Sequence, residues 1–229
     1  MSDTVSIIIP VLNEEAIIGG TMEHLCQLRG RFQVIVVDGG SNDETANIAA
    51  QALRSLPGSK LVPAPRGRGP QLNAGARAAE GGVFVFLHAD TVLPDDALEQ
   101  VRVALEDHSI IGGNFRIAFT GEGFSALLFG WIYSVRRWFG IYYGDSAIWV
   151  RRDVFDRLGG FLDAPIMEDY DFCRRLERSG KTARLAGPVI SSSRRWAGGR
   201  TLKTVFIWLV IQWLYLLGVK PERLAKLYQ

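Results

Sequence analysis

The chain has 229 residues and 25.4 kDa, of which 48% are hydrophobic and 22% charged, enough apolar mass for one well-cored domain and too much for intrinsic disorder. A net charge of +2 lays no basic field over the molecule, so nucleic acid is not expected as a partner. Two cysteines, Cys26 and Cys173, exclude a disulfide scaffold and a four-cysteine zinc site and fit the reducing cytoplasm. Met1–Glu15 has neither a basic stretch nor a long apolar run, so no secretory signal is expected.

The first half predicts strands and helices in alternation. Val5–Val11 is a β-branched run suited to a strand buried on both faces, and Asn13 is the expected cap of a helix from about Glu14 to Leu28. A second buried strand, Phe32–Val37, stops at Asp38, the turn Gly39–Asp43 follows, and Asp43–Leu53 reads as a helix. Lys60–Val62 predicts a short strand, Gly67–Pro70 a glycine- and arginine-rich loop, and Gln71–Ala79 an alanine-rich helix. The strand Val83–Leu87 runs into His88-Ala89-Asp90, ahead of an amphipathic helix over Asp95–Glu106. Such alternation implies an α/β fold with a central, mostly parallel sheet and right-handed crossovers. Further on, strands are expected at Gly113–Phe119 and Ser146–Val150, a helical turn at Val154–Leu158, and helices at Glu168–Ser179 and Thr201–Gly218.

Ligands of open parallel sheets bind beyond the carboxyl ends of the strands. Asn13 with Glu14 and Glu15, Asp38, and His88 with Asp90 all fall at such ends. A strand-end carboxylate such as Asp90 suits Mg²⁺ or Mn²⁺ held jointly with substrate phosphates. His88 reads as a second ligand, a ribose contact or a turn histidine. The pair Arg66 and Arg68, set among glycines ahead of a helix, suits anionic oxygens. Glu168, Asp169 and Asp171 crowd one helix start, where the helix dipole accounts for one or two of them and a general base for another. Neither the dinucleotide fingerprint nor a P-loop is present, which counts against NAD enzymes and P-loop ATPases.

An ordered set of segments carries a family resemblance: Ser6–Glu15, Val36–Thr45, Arg66–Gly82, Val85–Thr91, Trp149–Phe161, Met167–Gly180 and Ser192–Trp196. In this order they resemble a family 2 glycosyltransferase of the glycosyltransferase-A fold. The resemblance implies metal-dependent, inverting transfer of a sugar from a nucleotide diphosphate sugar, with a UDP-sugar as the first expectation. It places Pro10, Asn13, Glu15, Asp38 and Gly39 around the nucleoside and Arg68 beside the donor. Asp90 would be the last Asp of the D-x-D motif, touching metal and diphosphate. Asp169, with Glu168 before it, would be the base. Asp145, Arg195 and Trp196 fall on the acceptor or product-phosphate side. The chain departs from the family pattern twice. His88 stands where D-x-D has its first Asp, which keeps open a second class, a nucleotide-sugar binder without turnover. The motif Q-x-x-R-W lacks its Gln, which argues against a processive polymer synthase. Tyr215–Tyr228 is similar to the tail of a small bacterial subgroup labelled arsenosugar biosynthesis glycosyltransferases.

The catalytic unit is expected to span residues 1–200 and an apolar, basic tail residues 201–229. Lys203 and Lys220 bracket only sixteen residues, short of the ~20 that a spanning helix needs. With seven basic residues and one acidic residue from Arg194 to Gln229, an anionic membrane surface at the cytoplasmic face is the expected partner of this tail. A dimer interface, or simple packing under the domain, is the competing reading. Phe124–Tyr143, aromatic-rich, reads either as a core helix or as an acceptor wall or membrane-facing surface.

Overall fold

The computed structural model describes residues 4–119, 124–191 and 201–228. Strands β1 (Val5–Val11), β2 (Phe32–Asp38), β3 (Lys60–Pro63) and β4 (Val83–Phe86) form the parallel half of one eight-stranded sheet. Helices α1 (Glu15–Leu25), α2 (Thr45–Leu53) and α3 (Arg68–Ala78) are its crossovers. The other half contains β5 (Thr91–Val92), β6 (Ile110–Phe119), β7 (Ile148–Arg151) and β8 (Lys181–Ser191). The spatial order is β3-β2-β1-β4-β7-β6-β8-β5. Strand β7 runs antiparallel to both β4 and β6, β8 is parallel to β6, and β5 is antiparallel to β8. The sheet is therefore parallel through its first half and mixed through its second.

Strand periodicity explains the continuous apolar runs. Side chains alternate faces, and here both faces are covered. Ile7 and Ile9 join Val34 and Val36 against α1, α2 and α4 (Ala97–Glu106), with Trp149 in the same core. Ile8, Ile35 and Val37 face the other way, against α3, α6 (Arg152–Leu158) and α7 (Glu168–Ser179), where Phe86, Phe155, Phe161 and Phe172 pack edge to face or tilted. A third, smaller cluster joins Tyr143, Met167 and Tyr170 to α8 (Thr201–Leu216) and α9 (Pro221–Tyr228) through Ile211 and Leu224. Helix α5 (Phe124–Trp138) lies between β6 and β7 in sequence.

Several boundaries differ from the sequence expectation. Helix α1 ends at Leu25, three residues early, and α3 starts at Arg68, so the glycine-arginine stretch supplies its first turn. The missing proton donor of Pro70 costs nothing there, because first-turn N–H groups have no helical partner. Strands β5 and β8 and helix α9 have no counterpart in the sequence expectation. Strand β8 contains Gly187-Pro188, and its register against β6 shifts between Phe115 and Ile117, so it shows no clean alternation. Among the described residues no helix is long and apolar enough to cross a membrane.

Candidate active site

The loops after β1 and β2 meet at the carboxyl edge of the sheet and satisfy each other's backbone. Asn13 does not cap α1, as its place in the sequence suggests. It adopts a left-handed φ of 54°, donates its N–H to Ser41 Oγ (2.9 Å), and its Oδ1 accepts from Asn42 N (2.9 Å). The Glu14 N–H goes instead to Thr45 Oγ1 (2.7 Å) and that of Glu15 to Asp43 Oδ2 (3.3 Å), while Glu15 Oε2 accepts from Glu44 N (3.1 Å). The helix starts are thus capped from the facing loop. Asp38 bends its own turn, accepting from Ser41 N (3.1 Å) and Ser41 Oγ (2.6 Å) through Oδ1. Beneath them lies Gln71, buried on α3, whose Nε2 donates to the carbonyls of Val11 and Val37, each at 2.8 Å. Its amide atoms stand 3.0 Å from where a Cβ on Gly39 would be, so the glycine leaves Gln71 its place. Gln71 is a site residue that sequence reasoning missed. A polar residue on the apolar face of an alanine-rich helix is its only signal. Pro10, half-buried, is the next-to-last residue of β1 in the same edge.

Past β4 the chain makes the turn His88–Thr91, closed by a bond from Thr91 N to the His88 carbonyl (3.1 Å) and held by Thr21 Oγ1 on the Ala89 carbonyl. Asp90 sits half-buried on this turn. Facing it, just before β7, is a 3₁₀ turn over Gly144–Ser146. Gly144 donates its N–H to Asp169 Oδ2 (2.8 Å), and a Cβ on Gly144 would come within 2.7 Å of His88 Nε2 and 3.3 Å of Asp169 Oδ2. The glycine therefore lets His88 and Asp169 converge on one short turn. Asp169 Oδ1 accepts from Tyr170 N (2.7 Å), which aims the carboxylate from the first turn of α7.

Glu168 and Arg68 close the group. Arg68 Nη1 donates to Glu168 Oε1 at 3.1 Å, with 37% of the Arg68 side chain exposed and 3% of that of Glu168. Burial opposes the charge of Arg68, but Glu168, then Asp169 and Asp145, outweigh it and hold the guanidinium above its ordinary value. Glu168 is thus the carboxylate in contact with Arg68, and Asp169 and Asp145 act on it through space. Asp145 is also held by the hydroxyl of Tyr133, which donates to Oδ2 (3.1 Å). Burial, and after it the charge of Asp169, push the Glu168 carboxyl up to about 7 against the pull of Arg68.

A carboxyl raised in the fold binds its proton more tightly than in the unfolded chain. Its contribution to stability therefore declines as pH climbs from the ordinary 4.5 through about 7. Glu168→Gln, which cannot ionise, should stabilise the protein at pH 8 by on the order of 2 kcal/mol and change little at pH 4. Thermal melts of the two proteins at both pH values check this. An equal change at both would assign the effect to packing instead.

The loop leading into α7 is clasped from two sides. Asn73 on α3 donates to the Phe161 carbonyl (2.8 Å) and accepts from Phe161 N (2.9 Å), and Arg175 binds the carbonyls of Leu158 (2.7 Å) and Gly160 (2.8 Å). Met167, directly before the acid pair, is left-handed at φ 69°, and Ala147, at the end of the Gly144 turn, at φ 49°. With Asn13 these are the three non-glycine residues of positive φ among the described residues; Asn13 is itself a candidate site residue and the other two lie beside such residues. Such backbone costs of order 1–3 kcal/mol each and collects where function fixes geometry.

The aromatic segment divides between a buried and an exposed side. Tyr133 and Tyr143 turn inward, and Tyr143 stacks on Tyr170 at 5.8 Å, whereas Trp131, Trp138 and Phe139 face solvent. Gln212, the polar residue in the apolar run of α8, accepts from the hydroxyl of Tyr143 (3.0 Å), donates to that of Tyr170 (3.3 Å) and accepts from Arg136. Helix α8 is thus tied to the residue next to Asp169. Arg195 and Trp196 lie outside the described residues.

The structure brings Arg68, Glu168, Asp169, Asp145 and His88 together, and α3 connects them through Gln71 to the interlocked loops of Asn13, Glu15, Asp38 and Gly39. A parallel half-sheet with polar loops at its carboxyl ends, joined to a mixed half bearing an acid pair, is the glycosyltransferase-A fold. Residues 6–161 match the domain described as Glycosyl transferase family 2, and the chain belongs to that family. A PGL/p-HBAD biosynthesis glycosyltransferase of Mycobacterium bovis is 28% identical over 213 residues, covering 84% of this chain and 77% of that protein. A probable glycosyltransferase, YdaM, of Bacillus subtilis is 25% identical over 197 residues, 77% of this chain but only 47% of the relative. Among solved structures, TarS of S. aureus in complex with UDP-GlcNAc superposes with a TM-score of 0.70 at 18% identity, covering 85% of this chain and 59% of that one. A mannosyltransferase of Pyrobaculum calidifontis in complex with GDP-Man and Mn²⁺ gives 0.64 at 22% identity, covering 82% and 56%.

Proposed function

We propose that this protein transfers a sugar, most simply a hexose, from a nucleotide diphosphate sugar to an acceptor hydroxyl in one inverting displacement. The observation that carries the reading is Asp169, fixed by two backbone N–H groups at the start of α7 and set beside Glu168 and Arg68. Each of its oxygens keeps a lone pair beyond the N–H it accepts, so the carboxylate can still take a proton from an attacking hydroxyl. Arg68, at the first turn of α3, is the cation available to a leaving diphosphate, and Glu168 holds it in place. The interlocked loops of Pro10, Asn13, Glu15, Asp38 and Gly39 form the floor for the nucleoside. His88 and Asp145 border the turn that carries the Asp169 contact, and Arg195 and Trp196 are proposed for the acceptor or product-phosphate side. Residues 1–200 would be the catalytic unit and 201–229 its tail.

The family implies a divalent metal, Mg²⁺ or Mn²⁺. Among the described residues no three His, Cys, Asp or Glu side chains converge to cage an ion, so a site made by protein alone is not present there. The half-buried Asp90 carboxylate fits the other arrangement, in which one carboxylate holds an ion completed by substrate phosphate and water oxygens. When bound, such an ion supplies Lewis-acid charge to the departing diphosphate.

A UDP-sugar is the proposed donor. The UDP-GlcNAc complex of TarS supports it, and the GDP-Man complex of the mannosyltransferase makes GDP the first alternative. The mycobacterial relative is named for PGL/p-HBAD biosynthesis and not for an arsenosugar, so the acceptor is proposed only as a hydroxyl on a small molecule or a lipid-linked carrier. Thermal melts with UDP, GDP, CDP and dTDP, each with and without Mn²⁺, test the donor site. One nucleotide should stabilise the fold by about 2.7 kcal/mol at a hundredfold excess over Kd, and Asp90→Ala should remove the metal-dependent part. No shift with any nucleotide would overturn the donor reading. Binding without transfer or donor hydrolysis would leave the nucleotide-sugar binder.

A further inference from the structure

We infer that the outer faces of α5 and α8 form a docking surface for an anionic phospholipid bilayer. Each helix is fixed to the domain by one face and shows solvent an apolar stripe with the same spacing. On α5 the stripe is Trp131, Val135 and Trp138, continued by Phe139 in the turn directly after the helix, with Trp138 78% and Phe139 77% exposed. On α8 it is Leu209, Trp213 and Leu216, continued by Leu217 in the turn directly after the helix, with Trp213 66% and Leu217 75% exposed. Both follow i, i+4, i+7, i+8, the pattern of a single helix face. The two helices touch through Arg136 and Gln212, and α8 is oriented by Ile211 and Gln212, which are buried against the Tyr143 and Tyr170 cluster. The stripes are therefore set outward by the buried contacts of the same two helices.

Their chemistry selects the occupant. Tryptophan and phenylalanine favour the boundary between headgroups and acyl chains, and a helix too short to span can still lie in that plane. Directly after α8 come Lys220, Arg223 and Lys226, all exposed, against the single acid Glu222, and Leu227 is exposed among them. A negatively charged leaflet would satisfy these cations, which follow the α8 stripe along the chain. A second copy of the chain would bring the same cations into its own interface.

The proposal is independent of sugar transfer and is read without turnover. The full chain is floated with vesicles of phosphatidylcholine alone and of phosphatidylcholine mixed with phosphatidylglycerol. It should float with the mixed vesicles, and less so as salt rises. Trp213→Ser with Leu217→Ser, and separately Trp138→Ser with Phe139→Ser, should each weaken binding about tenfold or more. Neutralising Lys220, Arg223 and Lys226 should cost about fivefold per residue on mixed vesicles and little on neutral ones. Unchanged melting temperatures and nucleotide shifts in these variants show that fold and donor site survive. Failure of the wild-type chain to float with either vesicle overturns the proposal, as does binding indifferent to both stripes. A dimer in sedimentation that the Trp213 and Leu217 substitutions disperse would assign the face to a second copy and overturn it as well.

Discussion

Asp169→Asn is expected to lower kcat by about 10²–10⁴-fold while the nucleotide-induced thermal shift persists. The carboxylate accepts from Gly144 N and Tyr170 N. The amide can satisfy only one of these donors with its oxygen and turns an NH₂ group toward the other. Some loosening of the Gly144 turn is therefore built into the variant, and the thermal shift separates it from lost base catalysis. A kcat loss well below ~10² with donor binding intact would sink the base assignment and favour an acceptor that is already anionic.

The second large effect is expected from Gly69→Ala. A Cβ at Gly69 would lie 2.1 Å from the Leu162 carbonyl oxygen and 3.1 Å from its carbon, so backbone must move. The two segments in collision are the first turn of α3, which carries Arg68, and the loop that Asn73 clasps ahead of Glu168 and Asp169. Separating them should cost about 1–3 kcal/mol of stability, the usual range for overpacking. The Arg68 to Glu168 contact at 3.1 Å should open as well. Equilibrium denaturation and donor-saturated kcat should fall together, in contrast to Asp169→Asn. An unchanged midpoint would show that the loop is not held against α3 as tightly as the geometry requires.

The parts of the fold that are legible in the sequence are those with local causes. Strands β1 and β2 announce themselves because burial on both faces demands apolar side chains at nearly every position, and the buried exceptions Ser6 and Gln33 satisfy each other through a 3.0 Å hydrogen bond. Helix α7 begins at Glu168 as expected, since carboxylates gather where the helix dipole favours them. What is not legible depends on contacts far along the chain. Asn13 looks like a cap for α1, yet the cap role passes to Thr45 and Asp43, about thirty residues away. Strand β8 owes its existence to pairing with β6 and β5 and not to its own alternation, which Gly187-Pro188 interrupts. Arg68 reads from sequence as a cation for an anion. Its partnership with Glu168, 100 positions later, and the bond from Gln212 to Tyr170 arise only once the chain has closed.

The interlocked loops beyond β1 and β2 bear on how a ligand would meet the protein. Their backbone donors at Asn13, Glu14, Glu15, Asn42 and Glu44 are already answered by side chains of the opposite loop, and Gln71 ties both strand ends from below. The conformational entropy of these segments is therefore lost when the chain folds and not when a nucleoside arrives. The proposed floor for the nucleoside would therefore be a preorganised template, on which association draws little on ordering of the protein and the free energy of contact is kept as affinity.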